Sequence, residues 1–88
     1  MPELRLTRRA KRDLTELPSV VQEAVVATLE VIAVDPEEEG KELVGRLRGL
    51  WSARVGNYRV LYTIERDGVI VRAIRHRGVA YGRGPRSR

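Results

Sequence analysis

The sequence predicts an α+β domain in which an N-terminal strand and a helical hairpin pack on one face of an antiparallel sheet. Residues 50–81 alternate apolar and polar side chains in three segments separated by turn dipeptides, as consecutive strands do. Before them, a short alternating segment precedes two stretches with apolar residues at helical spacing. The order β-α-α-β-β-β therefore fits one domain over residues 1–81, followed by a flexible basic tail over residues 82–88.

The N-terminal segment is predicted to form a short strand and a first helix. Residues 3–6 alternate, which places Leu4 and Leu6 on one face of a strand. Thr7 suits the N-cap of a helix, and residues 8–17 continue with apolar residues at helical spacing. The side chains expected to face the core are Ala10, Leu14 and Leu17.

A second helix is predicted to complete the hairpin. It begins at Ser19, which forms a capping box with Gln22, and it ends before Pro36. The apolar stripe expected to face the sheet consists of Val21, Ala24, Val25, Thr28, Leu29 and Ile32. Residues 36–42 are acidic without the spacing of a calcium loop, so we expect a solvated loop there.

Two tight turns are predicted to set the register of the three C-terminal strands. Gly56-Asn57 and Asp67-Gly68 are dipeptides typical of two-residue hairpin loops, whose central residues adopt positive φ. In this register Arg54 faces Arg59, and Arg59 faces His76. The predicted core face consists of Trp51, Ala53, Val55, Tyr58, Val60, Tyr62, Ile64, Val69, Val71 and Ala73. The opposite face consists of Ser52, Arg54, Arg59, Leu61, Arg72, Ile74 and His76, and Arg75 is expected to point towards the helices.

Basic side chains accumulate at one end of this second face. Directly opposed like charges, such as Arg54 and Arg59, destabilise an antiparallel pair of strands. The arrangement is explained if the arginines meet an anion, and phosphate is the anion that guanidinium groups are best shaped to bind. With His76 and Arg77 at the same end, we predict a phosphate site. The alternative is that the arginines simply extend into water.

Composition limits the classes of function. Residues 1–49 contain eight Lys or Arg and ten Asp or Glu, whereas residues 50–88 contain nine Arg and two acidic residues. Such an arginine-rich half indicates a nucleic-acid ligand, or else an acidic protein partner. The chain has no cysteine and one histidine, so we expect no disulfide and no metal cofactor. No segment has the pattern of a signal peptide or a membrane span, and we expect a cytoplasmic protein.

A basic surface of this kind suits the cleavage of RNA by its own 2′-hydroxyl group. Arginines stabilise the negative charge that develops on the attacked phosphate. His76 suits proton transfer, although a histidine at a strand end is also an ordinary polar residue. Tyr81 suits stacking on a base, a phosphate contact or proton transfer, although it is also a candidate packing aromatic.

Three motifs resemble the RelE/ParE superfamily of bacterial toxins. They are LRG at residues 47–49, GNYRVLY at residues 56–62 and HRxxxY at His76, Arg77 and Tyr81. The HRxxxY ending is similar to the RelE branch, whose members cut mRNA in the ribosomal A site. The resemblance therefore implies a ribosome-dependent, metal-independent endoribonuclease toxin. The alternatives are a toxin of the ParE branch, which inhibits DNA gyrase, and a degenerate member that only binds its antitoxin.

The resemblance also assigns catalytic roles to individual residues. Arg59 matches the arginine that stabilises the scissile phosphate, and Arg77 matches the arginine that acts at the phosphate and the leaving group. Tyr81 matches the tyrosine that stacks on the mRNA base. Ser52 and Arg54 stand where RelE has two lysines, one of which is tied to activating the 2′-hydroxyl.

The general base is therefore unassigned, because an arginine stays protonated at neutral pH, and His76 is the candidate for it. Arg46, Arg48 and Ser52 are the residues predicted to bind the substrate. Arg46 and Arg48 would extend the basic surface, although the alternative is that they are solvated loop residues. The partners implied are the ribosome with its mRNA and an acidic antitoxin. We expect this antitoxin to cover either the basic sheet or the helical hairpin with an amphipathic helix and an added strand.

Overall fold

The computed structural model describes residues 3–78 and confirms the α+β fold. Its sheet has the order β1-β5-β4-β3-β2, with β1 parallel to β5 and the other neighbours antiparallel. The strands are β1 (Glu3–Leu6), β2 (Lys41–Glu42), β3 (Trp51–Val55), β4 (Tyr58–Glu65) and β5 (Gly68–His76). The helices are α1 (Arg8–Thr15), α2 (Ser19–Val34) and the single turn α3 (Pro36–Glu39), with a 3₁₀ turn at Gly45–Leu47. The predicted tail, residues 82–88, lies outside the described residues.

The core lies between one face of the sheet and the two longer helices. Helix α2 buries Val25, Leu29 and Ile32, which confirms most of the predicted stripe, but Ala24 is exposed. The buried side chains that complete this core are Ala10, Ala53, Val60, Tyr62, Val69, Val71 and Ile74. Removal of their apolar surface from water is the main force that fixes the helices on this face. Within residues 3–78, no helix is both long and apolar enough to cross a membrane.

The two helix starts differ from each other in how they are capped. The predicted cap of α1 is confirmed, since the Thr7 hydroxyl accepts a hydrogen bond from the Ala10 amide at 3.1 Å. The predicted capping box of α2 is wrong, because its N-cap is Pro18 and makes no side-chain bond. Gln22 instead donates to the Leu14 carbonyl at 2.9 Å, so that its amide ties α2 to α1.

The acidic segment is ordered structure, and its prediction as a loop is wrong. Residues 36–39 form α3, and β2 pairs with β3 through Lys41 opposite Ser52. The buried Tyr62 hydroxyl donates to the Pro36 carbonyl at 2.6 Å, which holds α3 against the sheet. A Cβ atom at Gly40 would collide with this hydroxyl and with the Ser52 carbonyl, so glycine permits the close approach.

The first C-terminal hairpin has the predicted register. Val55 faces Tyr58 and Arg54 faces Arg59 around the Gly56-Asn57 loop. Only the first of the two loop residues has a positive φ, at 59° for Gly56. This is the requirement of a type II′ turn, in which glycine occupies the first central position. Turn chemistry alone therefore aligned these two strands correctly.

The predicted turn of the second hairpin is wrong. Arg66 and Asp67 form the loop, and Gly68 already pairs with Glu65, so Ile64 faces Val69 instead of Val71. Gly68 has a different function from the one predicted, because β1 pairs directly beside it, with Glu3 opposite Gly68. A Cβ atom at this position would collide with the Glu3 carbonyl. The glycine thus reports the approach of a distant strand and not the position of the turn.

A β-bulge at Arg72 changes the faces of the second half of β5. The pairing passes from Tyr62 opposite Val71 to Leu61 opposite Ala73, so one extra residue is inserted in β5. Val71 and Ile74 are consequently both buried in the core although they are three residues apart. The predicted faces are wrong from this point onwards, for Ala73, Ile74, Arg75 and His76.

Two side chains from the first helix and its cap hold the bulge. Asp13 of α1 accepts a hydrogen bond from the Ile74 amide at 2.9 Å through Oδ2, and its Oδ1 meets Arg9 Nε at 3.4 Å. Thr7 donates its hydroxyl proton to the Arg72 carbonyl at 3.0 Å. Backbone groups that the irregular ladder frees therefore find partners 61 and 65 residues earlier in the chain.

Asp13→Ala tests this dependence. The variant leaves the part-buried Ile74 amide without its acceptor, and we expect the free energy of unfolding to fall by about 1–3 kcal/mol. Urea denaturation measures the change, with Glu16→Ala, an exposed carboxylate at the end of the same helix, as the matched control. Equal stability of the two variants would show that the bulge does not depend on Asp13.

Tyr62 gives a pH-dependent prediction. Burial, assisted by the Glu39 carboxylate, raises the pKa of the Tyr62 phenol to about 12 from 10.0. Its contribution to stability is therefore complete below pH 10 and is lost as the pH rises through about 12. We expect the excess stability of the wild type over Tyr62→Phe to shrink by roughly 2–3 kcal/mol across this interval in urea titrations. A constant difference would contradict the assignment.

Candidate nucleic-acid interface

Three arginines form a row across the face of the sheet that lies opposite the helices. Arg54 of β3 pairs with Arg59 of β4, and Arg59 pairs with Arg75 of β5. Directly paired residues point to the same face, and neighbouring strands lie about 4.8 Å apart. We call Arg54, Arg59 and Arg75 the arginine row. It contains two directly opposed like-charge pairs, one more than the sequence predicted.

The hydrogen bonds of the row differ from one arginine to the next. Arg54 Nε donates to the Gly56 carbonyl at 3.4 Å, within its own hairpin. Arg59 Nη1 donates to the Arg77 carbonyl, also at 3.4 Å. Arg75 Nε is buried and has no hydrogen-bond partner among residues 3–78. A buried donor without a partner costs free energy.

Arg77 follows directly after β5 and lies next to the row. Its backbone amide donates to the Asn57 carbonyl at 2.7 Å, which fixes the end of β5 against the first hairpin turn. The Arg59 guanidinium contacts the carbonyl of the same residue, and the Arg77 side chain is exposed. The structure therefore brings together Arg54, Arg59 and Arg77, as the sequence predicted.

A groove of about 440 Å³ borders the row on the β3 side. The residues that line it are Glu39, Gly40, Lys41, Leu43, Ser52, Arg54 and Arg59. Its volume lies in the range of small-ligand sites, and an opening of this size accepts a nucleotide. Ser52 lines this groove together with Arg54, and its predicted role in substrate binding stays a prediction. One wall is the α3–β2 segment that Tyr62 holds in place.

His76 does not lie with the arginine row, and its predicted position is wrong. The bulge places it opposite Tyr58 on the helix-facing side, where the two rings meet edge-on with centroids 5.1 Å apart. Its Nδ1 accepts a hydrogen bond from the Gly78 amide at 3.3 Å. Because this bond occupies Nδ1, the neutral ring carries its proton on Nε2.

The remaining predicted site residues are separate from the row or outside the described part. Arg46 and Arg48 are exposed on the loop between β2 and β3, where they line a different pocket of about 740 Å³ that includes Val44. Tyr81 lies outside residues 3–78, so its predicted roles stay predictions. Among the described residues, no group of three or more His, Cys, Asp or Glu side chains is arranged to hold a metal ion.

Arg75 is the residue that sequence reasoning missed. Strict alternation along β5 assigned it to the helix side, whereas the bulge turns it to the arginine row. The sequence contains one indication of the bulge. Strict alternation would place the next large apolar residue after Val71 at position 73, but that position is alanine and the large residue is Ile74. A spacing of three between core residues indicates an inserted residue in a strand.

Comparisons with known proteins agree with this architecture. Residues 4–81 match the model of the ParE toxin of the type II toxin-antitoxin system parDE. The chain is 39% identical over 83 residues to Toxin RelG of Mycobacterium tuberculosis, which covers 91% of this chain and 95% of that protein. It is 38% identical over 84 residues to Toxin RelE of the same organism, covering 91% and 86% of the two chains.

A solved structure gives the same result. The chain resembles one in the toxin-antitoxin complex RelBE2 from Mycobacterium tuberculosis with a TM-score of 0.80 at 37% identity, over 88% of this chain and 100% of that chain. The sheet, the helical hairpin and the motifs predicted from the sequence are therefore those of one family. The chain belongs to the ParE toxin family, within the RelE/ParE superfamily of type II toxin-antitoxin toxins.

Proposed function

We propose that this toxin is an endoribonuclease that cleaves mRNA in the A site of the ribosome. The observation that carries the proposal is the position of the Arg59 guanidinium, which lies between Arg54 and Arg75 and contacts the carbonyl of Arg77. Three arginines of the row and the backbone of Arg77 thus lie together at one end of these strands. A phosphodiester in the adjoining groove would meet planar donors that match its oxygens.

The proposed reaction uses the 2′-hydroxyl of the RNA as its nucleophile. The 2′-oxygen forms a bond to the phosphorus and releases its proton, while the bond to the 5′-oxygen breaks and that oxygen takes up a proton. The products are a 2′,3′-cyclic phosphate and a 5′-hydroxyl end. Arg59 and Arg77 stabilise the extra negative charge on the phosphate as it develops, which is electrostatic stabilisation of the transition state. No metal ion takes part in the steps that we propose.

His76 does not act as the general base in this proposal. It faces Tyr58 on the helix side, and its Nδ1 already accepts a hydrogen bond, so the neutral ring has no free acceptor for the 2′-hydroxyl proton. In this proposal Arg54 binds phosphate and does not act as a base. Tyr81 keeps its proposed place against the mRNA base, and Arg46 and Arg48 keep theirs as contacts to the RNA outside the groove.

Few catalytic groups suffice if the ribosome orients the mRNA. Fixing the 2′-hydroxyl in line with the leaving oxygen contributes a large effective concentration, which the toxin alone does not supply to free RNA. The basic C-terminal half serves the docking of the toxin on rRNA, with a strong dependence on salt. The presence of ribosomes and mRNA there makes the cytoplasm the proposed site of action.

Gyrase inhibition is the second candidate function, because the family model that matches is that of the ParE toxin. Two observations favour the RNase over it. The two relatives that share 38–39% of their residues with this chain are named RelG and RelE. The arginine row also provides donors for a phosphodiester on the face opposite the helices. Inhibition of gyrase does not require such a site.

The proposed partner for regulation is a cognate antitoxin that docks on the outer side of α2. A stripe at spacings of four and three residues faces away from the core there, and we call Val20, Ala24, Ala27, Val31 and Val34 the α2 outer stripe. Val20 and Val34 are 78% and 79% exposed, which is unusual for a helix with no further role. An amphipathic antitoxin helix would bury this stripe, as helices bind in apolar grooves.

Arg59→Ala and Arg77→Ala test the RNase function. We expect each to slow the cleavage of mRNA on programmed ribosomes by about 10²–10³-fold, the usual loss for one donor to a developing charge. Mapping of the cleaved ends should find 2′,3′-cyclic phosphate and 5′-hydroxyl groups. Arg66→Ala, in the exposed β4–β5 loop, removes the same charge far from the row and should cleave normally.

Other results would contradict this assignment. Intact mRNA in cells that show DNA breaks and an SOS response would support gyrase inhibition. Ends that carry a 5′-phosphate would exclude attack by the 2′-hydroxyl. Normal cleavage by both Arg59→Ala and Arg77→Ala would remove the arginines from the reaction.

Val31→Lys tests the antitoxin surface. A charge in the middle of the α2 outer stripe should weaken the complex with the cognate antitoxin by at least about 30-fold, because the buried ammonium has no partner. Cleavage of mRNA by the free toxin should be unchanged, since the substitution is on the side away from the row. Calorimetric titration measures the affinity, with Glu30→Gln one residue before as the control, since it changes the net charge by the same single positive unit. An unchanged affinity of Val31→Lys would place the antitoxin elsewhere.

A further inference from the structure

We propose that Arg75 binds a second phosphate of the same RNA strand, next to the phosphate held at Arg54 and Arg59. The inference rests on the proposed function, since it takes RNA as the ligand of this face. It adds a residue and a subsite that no motif in the sequence assigns. The face opposite the helices would then hold two consecutive phosphodiester groups and not one.

The width of the arginine row supports two phosphates. Arg54 and Arg75 lie on strands that flank β4, so their backbones are two strand spacings apart, about 10 Å. The groove that Arg54 and Arg59 line does not include Arg75, so a phosphate in the groove leaves Arg75 to a second one. A strand of RNA that crosses the sheet from β3 to β5 would place one phosphate in the groove at Arg54 and Arg59. Its neighbour would then lie over Arg75.

The hydrogen bonds divide the row in the same way. Arg54 and Arg59 each donate to a backbone carbonyl of the first hairpin or of Arg77, which orients both towards the groove. Arg75 has no such bond from Nε, which is buried and has no partner within residues 3–78. Arg75 is thus not tied to the groove by a backbone carbonyl, and the terminal nitrogens of its guanidinium are the donors that we propose for the second phosphate.

No carboxylate within residues 3–78 forms an ion pair with Arg75. Glu65, the acidic residue of β4, forms an ion pair with Arg72 at 3.6 Å. Asp13 lies across the sheet on α1, where it bonds Arg9 and the Ile74 amide. Arg75 itself is directly opposite Arg59, so like-charge repulsion raises the free energy of the empty site. An anion that binds between them relieves this repulsion.

The test compares uncleavable RNAs with one and two phosphates. The probes are a 2′-O-methyl dinucleotide and a 2′-O-methyl trinucleotide without terminal phosphates, titrated into the purified full chain and followed by NMR. We expect the second phosphate to tighten binding to the wild type about 10-fold, in line with one charge-assisted hydrogen-bonded contact. Arg75→Gln should remove this gain, whereas Arg66→Gln should retain it.

Two further measurements separate binding from folding and from base stacking. The slope of log affinity against log salt for the trinucleotide should fall by about 0.7 in Arg75→Gln and stay unchanged in Arg75→Lys, which keeps the charge. A trinucleotide with a neutral methylphosphonate as its second linkage should bind the wild type no better than the dinucleotide. Thermal unfolding should show Arg75→Gln to be at least as stable as the wild type, because it loses a like-charge pair.

The outcomes distinguish this inference from the proposed function. A wild type that gains nothing from the second phosphate, or an Arg75→Gln variant that keeps the full gain and slope, overturns the inference. Neither result affects cleavage on the ribosome, which has its own assay with Arg59→Ala. Conversely, a wild type that leaves ribosome-bound mRNA intact overturns the nuclease whatever the small RNAs show.

Discussion

The hydrogen bond from the Ile74 amide to Asp13 is the interaction on which the candidate site depends. It holds the bulge at Arg72, together with the Thr7 hydroxyl on the Arg72 carbonyl. Beyond the bulge, every side chain of β5 points to the face opposite the one that strict alternation gives. The orientation of Arg75 is therefore decided by a carboxylate on the first helix, 61 residues earlier in the chain. Bulges often re-aim side chains beside functional sites in this way.

The arginine row opposes the stability of the sheet that carries it. Two like-charge pairs stand directly opposite each other across β3, β4 and β5, and each is unfavourable in the absence of an anion. The other face of the same strands compensates, because Val60 and Val71 are fully buried in the core beneath the helices and Ile74 is nearly so. The protein thus keeps an unfavourable electrostatic arrangement on one side of the sheet by means of a well-packed core on the other.

The two faces of the molecule separate the two proposed partners. The face with the arginine row and its groove is proposed for RNA, and the α2 outer stripe, on the far side of the core, is proposed for the antitoxin. Tyr62 connects the two sides, since its ring lies in the core while its hydroxyl holds α3, which borders the groove. An antitoxin that changed the packing of the helices would therefore alter the shape of the groove by moving Tyr62 and α3, even without a direct contact to the groove.

The sequence by itself determined the fold class, the register of the first hairpin and the grouping of Arg54, Arg59 and Arg77 at one end of the sheet. These features follow from local information, namely apolar periodicity and a glycine in the turn at Gly56. The tertiary structure decided the second register, the pairing of β2 and the exchange of His76 for Arg75 in the row. Each of these depends on contacts between distant parts of the chain. Examples are the pairing of Glu3 with Gly68 and the hydrogen bond from the Ile74 amide to Asp13. Local patterns do not reveal them, because a bulge leaves the amino-acid sequence of the strand as it is and changes only the pairing. Every side chain after the bulge then lies on the other face.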